Sequence, residues 1–110
     1  MTPEERLEYL DKVYNRLLEH RYRYEILHDP ILGDSEYDWM EKYYNKMAEE
    51  AGAKIMKMVG YDLKDPLAIA AKERVDSGID SYSLWEKEMQ PVWDRIGKPS
   101  KEARREAKEK

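Results

Sequence analysis

The stretch HRYRYEILHDPILGDSEYD, residues 20–38, predicts the end of one helix, a short turn and the start of a second helix. Because a residue before proline is pushed out of the helical region of backbone space, the first helix is expected to stop near Leu27, ahead of Pro30. Asp34 and Ser35 are both good N-caps for the second helix. Two helices joined by so short a turn are expected to form an antiparallel hairpin.

Upstream of this stretch, the first helix has a clear start signal. Thr2 is a suitable N-cap, Pro3 fits the first helical position, and Glu5 stands three residues after the cap. Apolar residues then recur at helical spacing: Leu7, Leu10, Val13, Tyr14, Leu17 and Leu18. The other side of the helix is predicted to be polar, with Glu4, Glu8, Lys12, Arg16 and Glu19.

Downstream, the second helix carries its own apolar stripe and is expected to stop at Gly52. The stripe consists of Tyr37, Met40, Tyr44, Met47 and Ala48. The segment from Ala53 to Lys64 fits either a short helix or an extended piece. Asp65 and Pro66 then begin another helix that is expected to stop near Gly78.

A further helix is expected in the second half of the chain, capped by Ser81 or Ser83. Pro91 lies inside its apolar pattern and should kink it or split it in two. Trp85, Trp93 and the methionines are most simply explained as core residues.

These patterns predict an all-α fold with a single domain over residues 1–97. Within it, an antiparallel helical hairpin over residues 1–52 packs with two or more shorter helices from residues 53–97. Residues 98–110, KPSKEARREAKEK, have almost no apolar face and are predicted to be a basic C-terminal tail, frayed or disordered.

Composition and charge narrow the classes of function. The net charge is -4 although the tail holds six Lys and Arg against three Glu, so the rest of the chain is acidic and direct nucleic-acid binding is disfavoured except through the tail. There is no cysteine and there are only two histidines, so no metal site is expected. No apolar run is long enough for a membrane span and polar residues follow Met1, so we expect a cytoplasmic protein.

The stretch quoted above also resembles a segment of the N-terminal domain, known as domain Ia, of bacterial NAD-dependent DNA ligases. The family pattern reads approximately YxYxxxDxPxxxDxEYD. The residues that carry the resemblance are Tyr22, Tyr24, Pro30, Asp34, Glu36, Tyr37 and Asp38, with Asp29 supplying an aspartate next to the proline. The resemblance covers residues 4–51 approximately and then fades.

The resemblance implies a binding function, because the ligase domain holds the nicotinamide mononucleotide (NMN) half of NAD. Carried over by position, the ligand-contacting residues are Tyr24, Asp34, Tyr37 and Asp38. The residue chemistry agrees with this implication. The three residues of the second helix stand at i, i+3 and i+4, so one helix face presents a tyrosine ring between two carboxylates. Such a face suits a cationic pyridinium and its ribose hydroxyls.

Two departures from the family matter. Glu25 follows Tyr24 where the family often has histidine or tyrosine, and a carboxylate there repels a phosphate unless a cation intervenes. Arg21 could pair with Glu25, or Arg21 and Arg23 could supply positive charge themselves. The Lys-x-Asp-Gly string that carries the ligase nucleophile is absent from the sequence, so the chain is predicted not to be an enzyme, with no catalytic residues and no required cofactor.

Two hypotheses follow. In the first, the chain is a non-catalytic module that binds NMN, NAD or a related nucleotide, either acting with a separate nucleotidyltransferase chain or sequestering the ligand. In the second, it is a small helical protein–protein interaction protein, such as a phage or mobile-element inhibitor of a host enzyme, that reuses the scaffold. An intact ligand site requires Tyr24, Asp34, Tyr37 and Asp38 to converge on an open pocket. A repurposed scaffold should instead expose an apolar patch formed by Trp85, Trp93 or the tyrosines.

Overall fold

A computed structural model describes residues 2–57 and 61–96, apart from the side chains of residues 35, 92, 93, 95 and 96. In this part of the chain there are four helices and no strand: α1 (Pro3–Glu25), α2 (Asp34–Ala51), α3 (Pro66–Asp76) and α4 (Ser81–Ile96). The prediction of an all-α fold is confirmed. The predicted basic tail, residues 98–110, lies outside the described residues. None of the described helices has the length and apolar character needed to cross a membrane.

The ends of α1 are set by local hydrogen bonds. The hydroxyl oxygen of Thr2 accepts the backbone N–H of Glu5 at 3.1 Å, which confirms the predicted N-cap. At the other end, the N–H groups of Ile26 and Leu27 both donate to the Tyr22 carbonyl, at 3.0 and 3.2 Å. The second bond spans five residues instead of four, so the last turn is widened, and the helix ends at Glu25, two residues earlier than the sequence predicted.

Three expectations about helix ends need correction or refinement. The N-cap of α2 is Gly33, so Asp34 already lies in the first turn, where its charge favours the helix dipole. At the start of α4, the carboxylate of Asp80 accepts the backbone N–H of Ser83 at 3.0 Å, so the capping oxygen does not come from a serine. Pro91 lies inside one continuous helix, which is therefore not split. The predicted end of α2 is confirmed, since Gly52 has a left-handed φ of 70°.

Helices α1 and α2 form the predicted antiparallel hairpin. Near the start of α1, Arg6 pairs with Glu50 at the end of α2, with 3.2 Å between their charged atoms. Midway along, the rings of Tyr14 and Tyr44 lie 5.8 Å apart. Because residues late in α2 face residues early in α1, the two helices run in opposite directions.

The core lies around α1, which packs against each of the other three helices. Its apolar stripe is buried as predicted except at Leu7, which is 46% exposed. Trp85 and Met89 of α4 and Met40 of α2 are almost fully buried, which agrees with their predicted core role. The predicted core position of Trp93 concerns a side chain outside those described.

The polar side of α1 is not all solvent-exposed, because α3 and α4 cover part of it. Glu19 is fully buried and its carboxylate binds Arg16 at 2.8 Å, Ser81 at 2.9 Å and Arg74. One side chain thus joins α1, α3 and α4. Glu19, which the sequence places on the polar side of α1 with Glu8, is therefore a core residue.

The ambiguous segment after Gly52 has no regular secondary structure over residues 53–57 and is held by side chains of α2. The Tyr44 hydroxyl donates to the Lys54 carbonyl at 2.6 Å. The Asn45 amide accepts the Met56 N–H at 2.7 Å and donates to the Met56 carbonyl at 3.2 Å. These side chains supply hydrogen-bond partners for backbone N–H and C=O groups of the segment, as a neighbouring strand would. Met56 can therefore be buried although its backbone is not part of a helix.

Candidate functional site

A cavity of about 210 Å³ lies beside the turn that joins α1 and α2. It is lined by side chains from the end of α1, from the turn and from the first two turns of α2: His20, Arg21, Tyr24, Glu25, Pro30, Leu32, Asp34, Tyr37, Asp38 and Glu41. The structure therefore brings all four residues predicted from the sequence, Tyr24, Asp34, Tyr37 and Asp38, to one cavity.

The two tyrosines occupy different depths. Tyr24 is 52% exposed, so its ring stands at the edge of the cavity. Tyr37 is only partly exposed, and burial raises the pKa of its phenol. Tyr22, two residues before Tyr24, points to the opposite side of α1, where its hydroxyl donates to Asp76 of α3 at 3.1 Å. The alternating tyrosines of the sequence thus serve two purposes, since one anchors α3 and the other lines the cavity.

Arg21 is held between carboxylates at the wall of the cavity. Its guanidinium lies 3.4 Å from Glu25 and 3.4 Å from Glu41. The pairing of Arg21 with Glu25, one of the two alternatives open at the sequence level, is thereby confirmed. Arg23 does not join it, because its guanidinium donates to the Ile79 carbonyl at 3.1 Å.

The cavity has an excess of negative charge. Among the described residues of its lining are the carboxylates of Glu25, Asp34, Asp38 and Glu41 and the guanidinium of Arg21, so four negative groups and one positive group give these residues a formal charge of -3. The pKa of Glu41 is raised by burial and by the nearby Asp38 and Glu25, an effect that Arg21 partly opposes. Such a lining attracts cations and repels phosphates.

His20 is a cavity residue that the sequence reasoning missed. Its side chain is 3% exposed and packs against Trp85 in a T-shaped arrangement, with 5.4 Å between ring centroids. Burial, with Arg23 and Arg16 nearby, lowers its pKa to about 3, so the imidazole is uncharged at neutral pH. Neither ring nitrogen has a hydrogen-bond partner among the residues that the structure describes. Its position four residues before Tyr24 on α1 was the available signal, because i and i+4 side chains share a helix face.

The polar groups that line the cavity are carboxylates, phenols, one guanidinium and one imidazole. The residues described around the cavity include no serine, cysteine or lysine that could act as a nucleophile. Nor does the described part of the chain contain a group of three or more His, Asp or Glu side chains placed to hold a metal ion. A binding role for the cavity therefore uses its rings, its carboxylates and Arg21.

The turn also exposes an apolar surface next to the cavity. Tyr24, Ile26, Leu27 and Ile31 are each at least 40% exposed. Of the two tryptophans that the sequence suggested for such a patch, Trp85 is buried, and the side chain of Trp93 lies outside those described. The exposed surface at this end of the molecule is therefore aliphatic, with one tyrosine.

Comparison of the chain with protein-family models, with curated proteins and with solved structures finds no match.

Proposed function

We propose that the chain is a non-catalytic module that binds the nicotinamide end of a nucleotide such as NMN or NAD. The observation that carries this proposal is the convergence of Tyr24, Asp34, Tyr37 and Asp38 on one acidic cavity. A tyrosine face attracts a pyridinium ring through its quadrupole, and carboxylates accept hydrogen bonds from ribose hydroxyls. An uncharged His20 at the same cavity adds no positive charge that would repel the ring.

The size of the cavity favours one half of a dinucleotide. Sites for whole drug-sized ligands enclose roughly 300–1,000 Å³. At about 210 Å³, this cavity suits a nicotinamide ring with part of its ribose. The remainder of NAD would have to lie outside, along the exposed surface of the turn.

The negative charge of the cavity also limits which part of the ligand can bind there. Glu25 and its neighbouring carboxylates repel a phosphate, and Arg21 is already paired with Glu25 and Glu41. The phosphate of NMN is therefore expected to point to solvent and to add little affinity. Nicotinamide riboside, which keeps the cation and lacks the phosphate, should bind at least as tightly as NMN at low salt.

Calorimetric titration with nicotinamide riboside, NMN and NAD tests this proposal. The variants Tyr24→Ala and Asp38→Asn remove one ring and one charge from the cavity, and the exposure of Tyr24 makes its loss tolerable for the fold. Asp29→Asn is the matched control, because Asp29 is exposed in the same turn and does not line the cavity.

We expect saturable binding to the wild type and to Asp29→Asn. Each cavity variant should bind at least about 5-fold more weakly, because the loss of a cation–π contact or of a charged hydrogen bond has an effect of that size. Absence of heat with all three ligands at millimolar concentration would refute the proposal. Equal binding by wild type and both cavity variants would place any site elsewhere on the chain.

The exposed apolar turn supports a second candidate, an interaction protein that acts on another chain, such as a phage or mobile-element inhibitor of a host enzyme or a partner of a separate nucleotidyltransferase. Ile26 and Leu27 are 40% and 44% exposed side by side, a position that suits contact with a partner surface. Size-exclusion chromatography with a purified nucleotidyltransferase tests it. Co-elution that is lost in Leu27→Asp would support this candidate, and separate elution of the wild type would argue against it.

A further inference from the structure

An open groove of about 610 Å³ lies next to the acidic cavity. It is lined by side chains from the end of α1, from the turn and from the segment before α3: Tyr24, Glu25, Ile26, His28, Pro30 and Tyr61. Tyr24 and Glu25 also line the acidic cavity, so the two concavities share a wall. A molecule that is too large for the cavity can therefore extend from it into the groove.

The far wall of the groove is held in place by contacts to α1 and α3. The Tyr61 hydroxyl donates to the Ala68 carbonyl at 2.6 Å. Its ring lies 5.4 Å from the ring of Tyr22, whose hydroxyl is bonded to Asp76. Because this wall is already ordered, a ligand that binds against it loses little free energy to ordering of the protein.

The surface around the groove is apolar. Tyr24 and Ile26, which line it, are 52% and 40% exposed, and Leu27 and Ile31 of the same turn are 44% and 40% exposed. Exposed apolar side chains that cluster in this way are typical of surfaces that contact another molecule. The groove therefore favours an occupant that presents apolar groups of its own.

The cavity at the end of the groove favours a cation. Arg21 is shared between Glu25 and Glu41, and Asp38 has no hydrogen bond or ion pair among the described residues. The rings of Tyr24 and Tyr37 line the same space. A guanidinium group matches this combination, because it stacks on aromatic faces and forms paired hydrogen bonds with a carboxylate.

We propose that the groove and the acidic cavity form one docking surface for a protein segment that places an arginine side chain in the cavity and neighbouring apolar side chains in the groove. This inference goes beyond nicotinamide binding and rests on the second candidate function, whose partner it describes by its chemistry. Charge complementarity selects the occupant, since nucleic acid or an anionic lipid surface would be repelled by the carboxylates of the cavity.

Selection from a phage-displayed library of random linear peptides on the full 110-residue chain tests the inference. The peptides that are most enriched on the wild type are synthesised, and their dissociation constants are measured by fluorescence anisotropy. Each peptide is also made with its arginine replaced by glutamine or by lysine. This half of the test changes the ligand alone, so it does not depend on whether a protein variant folds.

Two variants change the protein side of the contact, each with a matched control. Asp38→Asn removes one charge from the cavity, and Asp11→Asn does the same at an exposed position of α1 that lines neither concavity. Ile26→Ser removes an apolar side chain from the groove. Leu7→Ser is its control, because Leu7 is 46% exposed near the opposite end of α1. Circular dichroism confirms that each variant is folded.

The enriched peptides should share an arginine next to apolar residues. Replacing that arginine by glutamine should weaken binding at least about 10-fold, and replacement by lysine should cost less, because lysine keeps the charge without the planar group. Asp38→Asn should weaken binding at least about 5-fold, the scale of one charged hydrogen bond. Ile26→Ser should weaken it about 3- to 10-fold through lost apolar contact, and both controls should change it by less than about 2-fold.

Three results would overturn the inference: no family of related peptides is enriched, the enriched peptides lack arginine, or Asp38→Asn and Ile26→Ser bind them as tightly as the wild type does. Nicotinamide riboside separates the inference from the nicotinamide proposal. If both are correct, it displaces the peptide from the shared cavity. If the peptide binds as expected and nicotinamide riboside does not bind, the nicotinamide proposal fails and the inference stands. If nicotinamide riboside binds without displacing the peptide, the arginine does not occupy the cavity and the inference fails.

Discussion

Mild acidification should destabilise the protein through His20, and the size of the effect follows from its burial. In the unfolded chain the imidazole titrates at its ordinary pKa of 6.5, whereas burial lowers the folded-state value to about 3. Between these two values the unfolded state binds a proton that the folded state does not. Stability is therefore fully present above pH 6.5 and is lost as the pH falls toward 3.

The loss between pH 7 and pH 5 is about 2 kcal/mol from this one residue, obtained by integrating the difference in bound protons. The value hardly depends on how far the folded-state pKa lies below 5, because the folded protein takes up almost no proton at that pH. Such a loss is a large part of the stability of a small domain, which is typically about 5–15 kcal/mol.

Urea unfolding at pH 7 and pH 5 measures the effect, with wild type compared with His20→Gln, which does not titrate. The pKa values of Glu41 and Glu88 are raised by burial, so these groups take up protons at higher pH in the folded state than in the unfolded state and act in the opposite direction. They are present in both proteins, so the difference between the two pH dependences belongs to His20. Parallel pH dependences in the two proteins would refute the buried, uncharged state of His20.

Three further predictions concern the fold. Glu19→Ala should cost about 3 kcal/mol in the free energy of unfolding, the low end for breaking a buried ion pair, because Arg74 loses its buried partner while Arg16 keeps its pairing with Glu88 at 3.1 Å. The exposed Glu8→Ala is its control and should change the value by less than about 0.5 kcal/mol; equal losses in the two would refute the network. Tyr44→Phe should cost about 1 kcal/mol, because it removes the donor to the Lys54 carbonyl, and an unchanged urea midpoint would contradict this. Gly52→Ala should lower the free energy of unfolding by about 1–2 kcal/mol because of the left-handed backbone alone, since nothing lies within 4 Å of the added methyl group. Gly52→Asn should lower it by less, because asparagine adopts this backbone conformation more readily than alanine. A larger loss for Gly52→Asn than for Gly52→Ala would contradict the explanation by backbone strain.

The candidate site could be predicted from the sequence as far as its local spacing reaches. Asp34, Tyr37 and Asp38 lie on one helix face wherever the helix is placed, and a short turn brings Tyr24 across to them. The resemblance to the ligase domain concerned these same positions, and its implication of nicotinamide binding stays a prediction. Glu41 was missed because it comes one turn later on α2, beyond the quoted stretch, although its spacing from Asp38 and Tyr37 follows the same rule.

The sequence by itself determined the helices and the hairpin, because these depend on nearest neighbours. A threonine cap, a proline at the first position and a left-handed glycine act within a few residues, and a periodic apolar stripe selects which face is buried. The end of α1 and the start of α2 lie one or two residues from their predicted positions, since competing caps differ little in free energy.

Only the tertiary structure decided the state of Glu19 and His20. Both lie on α1 as polar residues that local pattern places at the surface, and both are buried because α3 and α4 cover that side of the helix. Glu19 there meets its partners Arg74 and Ser81, which are more than 50 residues away in the chain. His20 meets Trp85 and the cavity instead. Burial and pairing at such separations depend on how the helices pack, and no local pattern carries that information.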